Sequence, residues 1–187
     1  MTNEHETQIR LAMPADAPQI ARIWLDSLKL SGCYKSIPSS SDAVAAFHQR
    51  IQEPQGRSCI WVGVNNDKVV GWQGLSDLGV TQITQAAMSS TYVAPQSHGK
   101  GIGKHLLSYA TEQAAHRGFD YVVGYIRTDN LAPINIVLSL GWKFVGVLPR
   151  DQDDDTELAY YAYAVPKRQE SARVNKRRAC SASCGDC

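Results

Sequence analysis

Residues Gln96 to Gly103 read QSHGKGIG, with glycines at 99, 101 and 103. They lie between a β-rich apolar run, SSTYVAP, and a helical pattern, KHLLSYATEQAAHRG. A glycine turn at that junction bares backbone N–H groups at the positive end of a helix, which is chemistry for holding an anion. Glycine lets those amides approach a diphosphate without Cβ collisions, and Lys100 and Lys104 add charge beside it. Two familiar phosphate loops fail on spacing. A triphosphate loop needs four residues between its first glycine and a Gly-Lys pair, then a Ser or Thr for magnesium; here Gly99 to Gly103-Lys104 leaves three, and His105 follows. A dinucleotide loop needs a third glycine where Lys104 stands, and it normally follows the first strand rather than lying mid-chain. The spacing leaves a diphosphate loop of another kind as the candidate.

Other groups capable of chemistry are fewer. The acidic stretch Asp151 to Asp155 reads as a solvated loop that could attract a cationic amine. Cys180, Cys184 and Cys187 have C-x3-C-x2-C spacing. Three thiolates without a fourth ligand make a poor structural zinc site, so no metal is expected. Cys33 and Cys59 are isolated, and an odd cysteine count argues against a disulfide framework.

The elements that must position the loop follow from periodicity and turn chemistry. QIRLAM reads as a first strand. PADAPQIARIWLDSLKLSG reads as a helix, with Ile20, Ile23, Trp24 and Leu28 on one face and Gly32 at its end. SSSDAVAAFHQRIQ is a second helix with a serine or aspartate cap. SCIWVGVNN and KVVGWQGLS form a hairpin around NNDK, and AAMSSTYVAP is a fourth strand. The helix after the glycine loop spans about 101–117, burying Ile102, Leu106, Leu107, Ala110 and Ala114, with Gly118 at its end. DYVVGYI is a central strand. DNLAPINIVLSLG is a short helix capped by Asp129 or Asn130. WKFVGVL and TELAYYAYAV are the last two strands. The order is βααββ then βαβαββ, which predicts an α/β (α+β) domain: a mixed sheet of about seven strands with helices on both faces.

Composition agrees with one globular domain: 187 residues, 43% hydrophobic and 20% charged. No apolar run approaches the roughly 20 residues that span a bilayer, and the polar, acidic start carries no readable secretory signal. A soluble, cytoplasmic protein with no membrane partner is the expectation. Residues 1–165 hold 13 Lys and Arg against 16 Asp and Glu, whereas residues 166–187 hold six against two. The acidic body argues against nucleic-acid binding by charge; the basic tail leaves a small opening for RNA. Residues 1–8 and 166–187 are expected to be disordered ends around a domain at 9–165, the second a basic, cysteine-containing tail.

The string Gln96-x-x-Gly99-x-Gly101 resembles the acyl-CoA loop of the GCN5-related N-acetyltransferases. IRLAMPADAPQIARIW is similar to that family's opening strand and helix, and DNLAPINIVLSLGWKFVGVLPR to its late motif. The wording is closest to the phosphinothricin and amino-acid N-acetyltransferase branch. The resemblance implies that fold, with a mostly antiparallel sheet, and acetyl-CoA as co-substrate. Thr91, Tyr92 and Val93 would pair their main chain with the pantetheine amides. Gly99, Lys100, Gly101, Ile102, Gly103 and Lys104 would hold the diphosphate, and Asn130 would reach the pantetheine arm. An amine would attack the thioester directly in a ternary complex. The acceptor would be a small primary amine or amino acid, in a site lined by the first two helices and last hairpin, with Trp24, Tyr34, Trp72, Tyr160 and Tyr161 as candidates. Relatives in this branch often form dimers, so a homodimer is one expected assembly.

The same resemblance shows a gap in the chemistry. Met88 stands where many relatives place a basic glutamate, and Val137 where many place a tyrosine acid. Asp129 and His98 are weighed as substitutes, as are the acids of the 151–155 loop, and no catalytic residue is assigned. Two rivals therefore stand beside the acetyltransferase: a sensor or partner module that binds acyl-CoA without turning it over, and an aminoacyl-tRNA-dependent acyltransferase using the basic tail.

Overall fold

The structure, a computed structural model, describes residues 7–31, 36–80, 85–148 and 157–167. Gly32, Cys33, Tyr34, the 151–155 acidic loop and the three tail cysteines lie outside these residues. Seven strands form one sheet: β1 (Gln8–Leu11), β2 (Cys59–Asn65), β3 (Lys68–Val80), β4 (Gln85–Val93), β5 (Tyr121–Arg127), β6 (Lys143–Val147) and β7 (Leu158–Ala164). Their order is β1-β2-β3-β4-β5-β7-β6, and only the β4–β5 pair is parallel. The helices are α1 (Ala17–Ser31), α2 (Ser40–Gln52), α3 (Ile102–His116) and α4 (Leu131–Ser139). The mixed, mostly antiparallel sheet with helices on both faces is as expected. No helix among the described residues is long and apolar enough to cross a membrane.

Local chemistry explains the elements. The β2–β3 hairpin turns on Asn66 (φ 48°) and Asp67 (φ 58°), the left-handed pair that a two-residue turn between twisted strands requires. Ser39 caps α2 by accepting from the Asp42 amide at 3.1 Å. The first helix begins later than its sequence suggests, after a 3-10 turn at Pro14–Asp16. There Asp16 accepts from the Met13 amide at 2.7 Å and from both terminal nitrogens of Arg10 at 2.7 and 2.9 Å. Strand β3 runs four residues beyond the sequence reading, past an irregularity in its pairing with β4 between Asp77 and Val80.

The sheet separates two apolar layers. On one face α1 and α2 bury Ile20, Ile23, Leu28 and Phe47 against Ile60, Val62 and Trp72. On the other, α3 and α4 bury Leu107, Ala110, Ala114 and Val137 against Trp61, Leu75 and Tyr161. All five residues expected to form the α3 stripe are buried, and Thr111 joins them.

At the end of the sheet where β4 begins, a polar knot ties the layers. Asp77 accepts from Arg57 through its amide (3.0 Å) and its side chain (2.9 and 3.2 Å), and from the Gly79 amide at 2.9 Å. The same guanidinium donates to the Gly118 carbonyl at 2.8 Å and to Gln85, and lies 4.3 Å over the Phe119 ring. One arginine thus joins β3, the start of β4 and the turn after α3. Arg57 is the main cause holding the Asp77 carboxyl down at about 2, with burial opposing and the two backbone donors assisting. A depressed carboxylate stabilises the fold above its unfolded value near 3.9, and that stabilisation is lost as pH falls through about 2. Asp77→Asn is expected to lower stability at pH 7 by about 1–2 kcal/mol, after allowance for solvent screening, and to flatten the acid limb between about pH 4 and pH 2. Urea titrations across that range check both effects.

Candidate active site

Strand β4 keeps β3 as a partner along its length, from Val80↔Gln85 to Gly71↔Val93. With β5 it pairs only at Ala86↔Tyr121, Ala87↔Val122 and Met88↔Val123. Beyond Met88 the two parallel strands part, leaving a gap bordered by the C-terminal half of β4. The Ala94 amide donates to the Val70 carbonyl at 2.9 Å, which fixes the phase of the β3–β4 ladder. Because an antiparallel ladder alternates, Ser90 and Tyr92 turn their N–H and C=O groups toward β3, while Thr91 and Val93 turn theirs into the gap. Two of the three strand residues expected to meet pantetheine therefore present main-chain groups there. Tyr92 instead contributes its ring, stacked on Trp72 at 4.8 Å and 23°.

A buried amide braces this half of β4 where it lacks β5. Gln73 on β3 is fully buried. Its Nε2 donates to the Gly74 carbonyl at 2.8 Å and to Ser89 Oγ at 2.9 Å, and its Oε1 accepts from the Thr91 hydroxyl. A lone Gln in the apolar string VVGWQGL is the sequence signal for it. Every polar atom of that amide finds a partner, as a buried amide requires.

The glycine loop closes the open end of the gap. A 3-10 turn at Pro95–Ser97 leads from β4, and His98 Nε2 lies 2.9 Å from the Val93 carbonyl, to which it donates. His98 thus ties the loop to the strand end. Gly99 and Gly101 have φ of 76° and 75°, the left-handed region, and a Cβ on either would meet no atom of the protein within 4 Å. Backbone conformation, not crowding, demands glycine at these two positions. Gly103 differs: it is helical, and its added Cβ would lie 3.5 Å from a Val93 methyl, an ordinary contact. The sequence argument from Cβ collisions therefore does not extend to the protein's own contacts at Gly103. Gly101 is the N-cap of α3 and offers no capping side chain, and the first turn carries no acid. The amides at the head of this 15-residue helix thus face outward beside exposed Lys100 and Lys104. Among the described residues neither lysine has an ion-pair partner.

Asn130 stands at the N-cap of α4, yet its side chain makes no capping hydrogen bond and is exposed. Asp129 does not cap the helix either: it pairs with Arg127 at 2.6 and 2.9 Å, and that bond holds its carboxyl below the usual range. A carboxylate so held is a poor base at neutral pH. Met88 is half-buried on β4, and Val137 is buried in the α3/α4 layer. Of the aromatic residues expected around an acceptor, Trp72 and Tyr161 are core residues at 2% and 5% exposure. Trp24 is half-buried, edge-on to Phe47 at 5.6 Å. Tyr160 is half-buried beside Tyr125, with ring centroids 5.0 Å apart. Tyr34 lies outside the described residues.

Comparison with known proteins bears on the family and the fold. The family model described as the acetyltransferase (GNAT) family matches residues 24–142. The chain is 32% identical over 107 residues to the N-alpha-acetyltransferase RimI of Mycobacterium tuberculosis, covering 57% of this chain and 64% of that protein, just under two thirds of its length. It is 26% identical over 145 residues to the L-amino acid N-acyltransferase MnaT of Escherichia coli, covering 76% of this chain and 83% of that one. The fold superposes with a TM-score of 0.73 on the Salmonella typhimurium acetyltransferase yncA, solved with acetyl-CoA, at 22% identity over 87% of this chain and 96% of that one. With the family model spanning most of the described domain, from α1 to the start of β6, the chain belongs to the acetyltransferase (GNAT) family.

Proposed function

We propose that this protein transfers the acetyl group of acetyl-CoA to a small primary amine, an amino acid among the candidates, by direct attack within a ternary complex. The observation that carries the reading is the gap past Met88, with outward-facing amides of the glycine loop and the head of α3 at one end of it. Thr91 supplies its main-chain N–H and C=O to the amides of a pantetheine arm, as a strand would, while the Val93 carbonyl is held by His98. The left-handed glycines and the head of α3 supply the anion site, with Lys100 and Lys104 beside it. Asn130, unused as a cap, is free to meet the arm from the β5 side. Acetyl-CoA supplies the activated acyl carbon when bound. The acceptor nitrogen forms the new C–N bond to that carbon as the C–S bond breaks, and the nitrogen's proton leaves while the thiolate gains one. The Val93 amide points into the gap and is the donor suited to the developing oxyanion.

Isothermal titration with acetyl-CoA and release of free thiol across a panel of amines test this reading together. Binding with turnover of small amines is the expected result. No binding at millimolar acetyl-CoA overturns it. Binding with no thiol release across the panel favours the rival, an acyl-CoA module without turnover, for which the apolar Met88 and Val137 speak.

The anion site has its own test. Because Gly101 requires a left-handed backbone but not space, Gly101→Ala is expected to cost only about 1–2 kcal/mol of stability. It should nevertheless weaken acetyl-CoA binding about tenfold or more. The double variant Lys100→Ala, Lys104→Ala should leave the melting temperature nearly unchanged, weaken binding about tenfold, and reduce its salt dependence. Titration at two ionic strengths separates the charge effect from the backbone effect.

A further inference from the structure

Arg50, in the last turn of α2, is a charged group that the fold does not use up. Its guanidinium lies 5.5 Å over the Phe47 ring and donates to Ser76 Oγ on β3 at 3.2 Å. No carboxylate among the described residues pairs with it. The residue is exposed overall, and the Phe47 and β3 contacts pull its pKa below the ordinary arginine value by desolvation, with the nearby Tyr92 opposing. A guanidinium that gives one bond to a hydroxyl keeps further N–H donors for an anion.

Its position says which anion. Ser76 pairs with Met88, so the guanidinium sits one strand from the residue after which β4 and β5 part. Ser76, Met88, Ser90 and Tyr92 share the sheet face that carries α1 and α2, by the two-residue period. All four are only partly buried, so the helical layer stops short of covering them. Across the gap, Tyr125 and Tyr160 stand on the same face, Tyr125 being 45% exposed. The result is an open strip that crosses the gap, with a cationic fork at one side and two aromatic rings at the other.

We infer that Arg50 is the anchor for the carboxylate of an α-amino acid acceptor, with the Ser76 hydroxyl as a second donor. This rests on the acetyltransferase reading above and names its acceptor. A guanidinium matches a carboxylate with two parallel N–H···O bonds, which a lysine cannot do. Ser76 Oγ accepts from Arg50, so its own hydrogen remains to be donated. Adjacent strands lie about 4.8 Å apart. A carboxylate held at Arg50 and Ser76 therefore leaves the amine of an α-amino acid on the β4 side, beside Met88.

The test uses the full chain and the best L-α-amino acid acceptor from the amine panel, together with its carboxamide. Arg50→Gln should raise the KM of the acid about 10- to 100-fold, the range of a lost charge-assisted pair. The KM of the carboxamide and of acetyl-CoA should move less than about threefold, and Arg50→Lys should restore part of the loss. Unchanged acetyl-CoA binding shows that the variants fold. If Arg50→Gln leaves the acid unaffected, or weakens acid and carboxamide alike, the assignment of Arg50 is overturned while the acetyltransferase reading stands. If the wild-type chain turns over neither compound nor any other amine, that reading fails, and this inference with it.

Discussion

Everything distinctive about the site depends on one broken ladder. Strand β4 is central, with a full antiparallel partner on one side, and it loses its parallel partner after Met88. A half-paired strand in the middle of a sheet leaves main-chain donors and acceptors unmet, which a folded protein tolerates only where something else can meet them. Here, among the described residues, they are the N–H and C=O of Thr91 and the N–H of Val93, whose carbonyl accepts from His98. They persist because the other side of β4 is held firmly: by the β3 ladder, by the Gln73 amide that joins Ser89 and Thr91, and by His98 on the Val93 carbonyl. Each bond falls on the stretch that lacks β5. The protein spends polar side chains to keep an unpaired strand straight, so the ligand meets a prepared edge.

The two ends of that edge are arranged by different physics. At the open end, the proposed anion site is built from backbone, with two lysines beside it. Two left-handed glycines turn amides outward and a helix without a capping side chain adds its dipole. Such a site recognises charge and reach rather than detailed shape, as suits a ligand whose far end is a diphosphate. At the closed end, beyond the apex of the gap, the Arg57–Asp77 knot locks the strands together where β4 begins. An open cleft and a tied base are complementary. Parting β4 from β5 at one end would be free to propagate if nothing fixed their register at the other.

Much of this was legible in the sequence because it depends on local rules. The NNDK turn, the Ser39 cap, the α3 stripe and the glycine loop each follow from a backbone conformation or a period that a few neighbouring residues dictate. What was not legible depends on register between distant strands. Nothing local tells that Thr91 faces the gap while Tyr92 faces β3; that follows from the Val70–Ala94 bond, set by residues 24 positions apart. The same applies to Gln73, whose partners lie 16 and 18 residues away. Among the aromatic residues, Trp72 and Tyr161 went to the core, because period-2 strands give a ring no local sign of which face is covered.

The absence of a base at Met88 and an acid at Val137 reads differently once both are placed. Val137 packs in the α3/α4 layer, where a valine fills space and a proton donor would need a partner. Met88 lies at the apex of the gap, partly accessible, flanked on β3 by Ser76 and one strand from Arg50. A glutamate at Met88 would sit close to that guanidinium and neutralise it. Placing methionine there keeps the cation unpaired and available to a ligand, at the cost of a side chain that takes no proton. Under the proposed function, the acceptor loses its proton to water through the open strip and positioning carries the catalysis. The methionine that removes the usual base is thus the residue that leaves the arginine free.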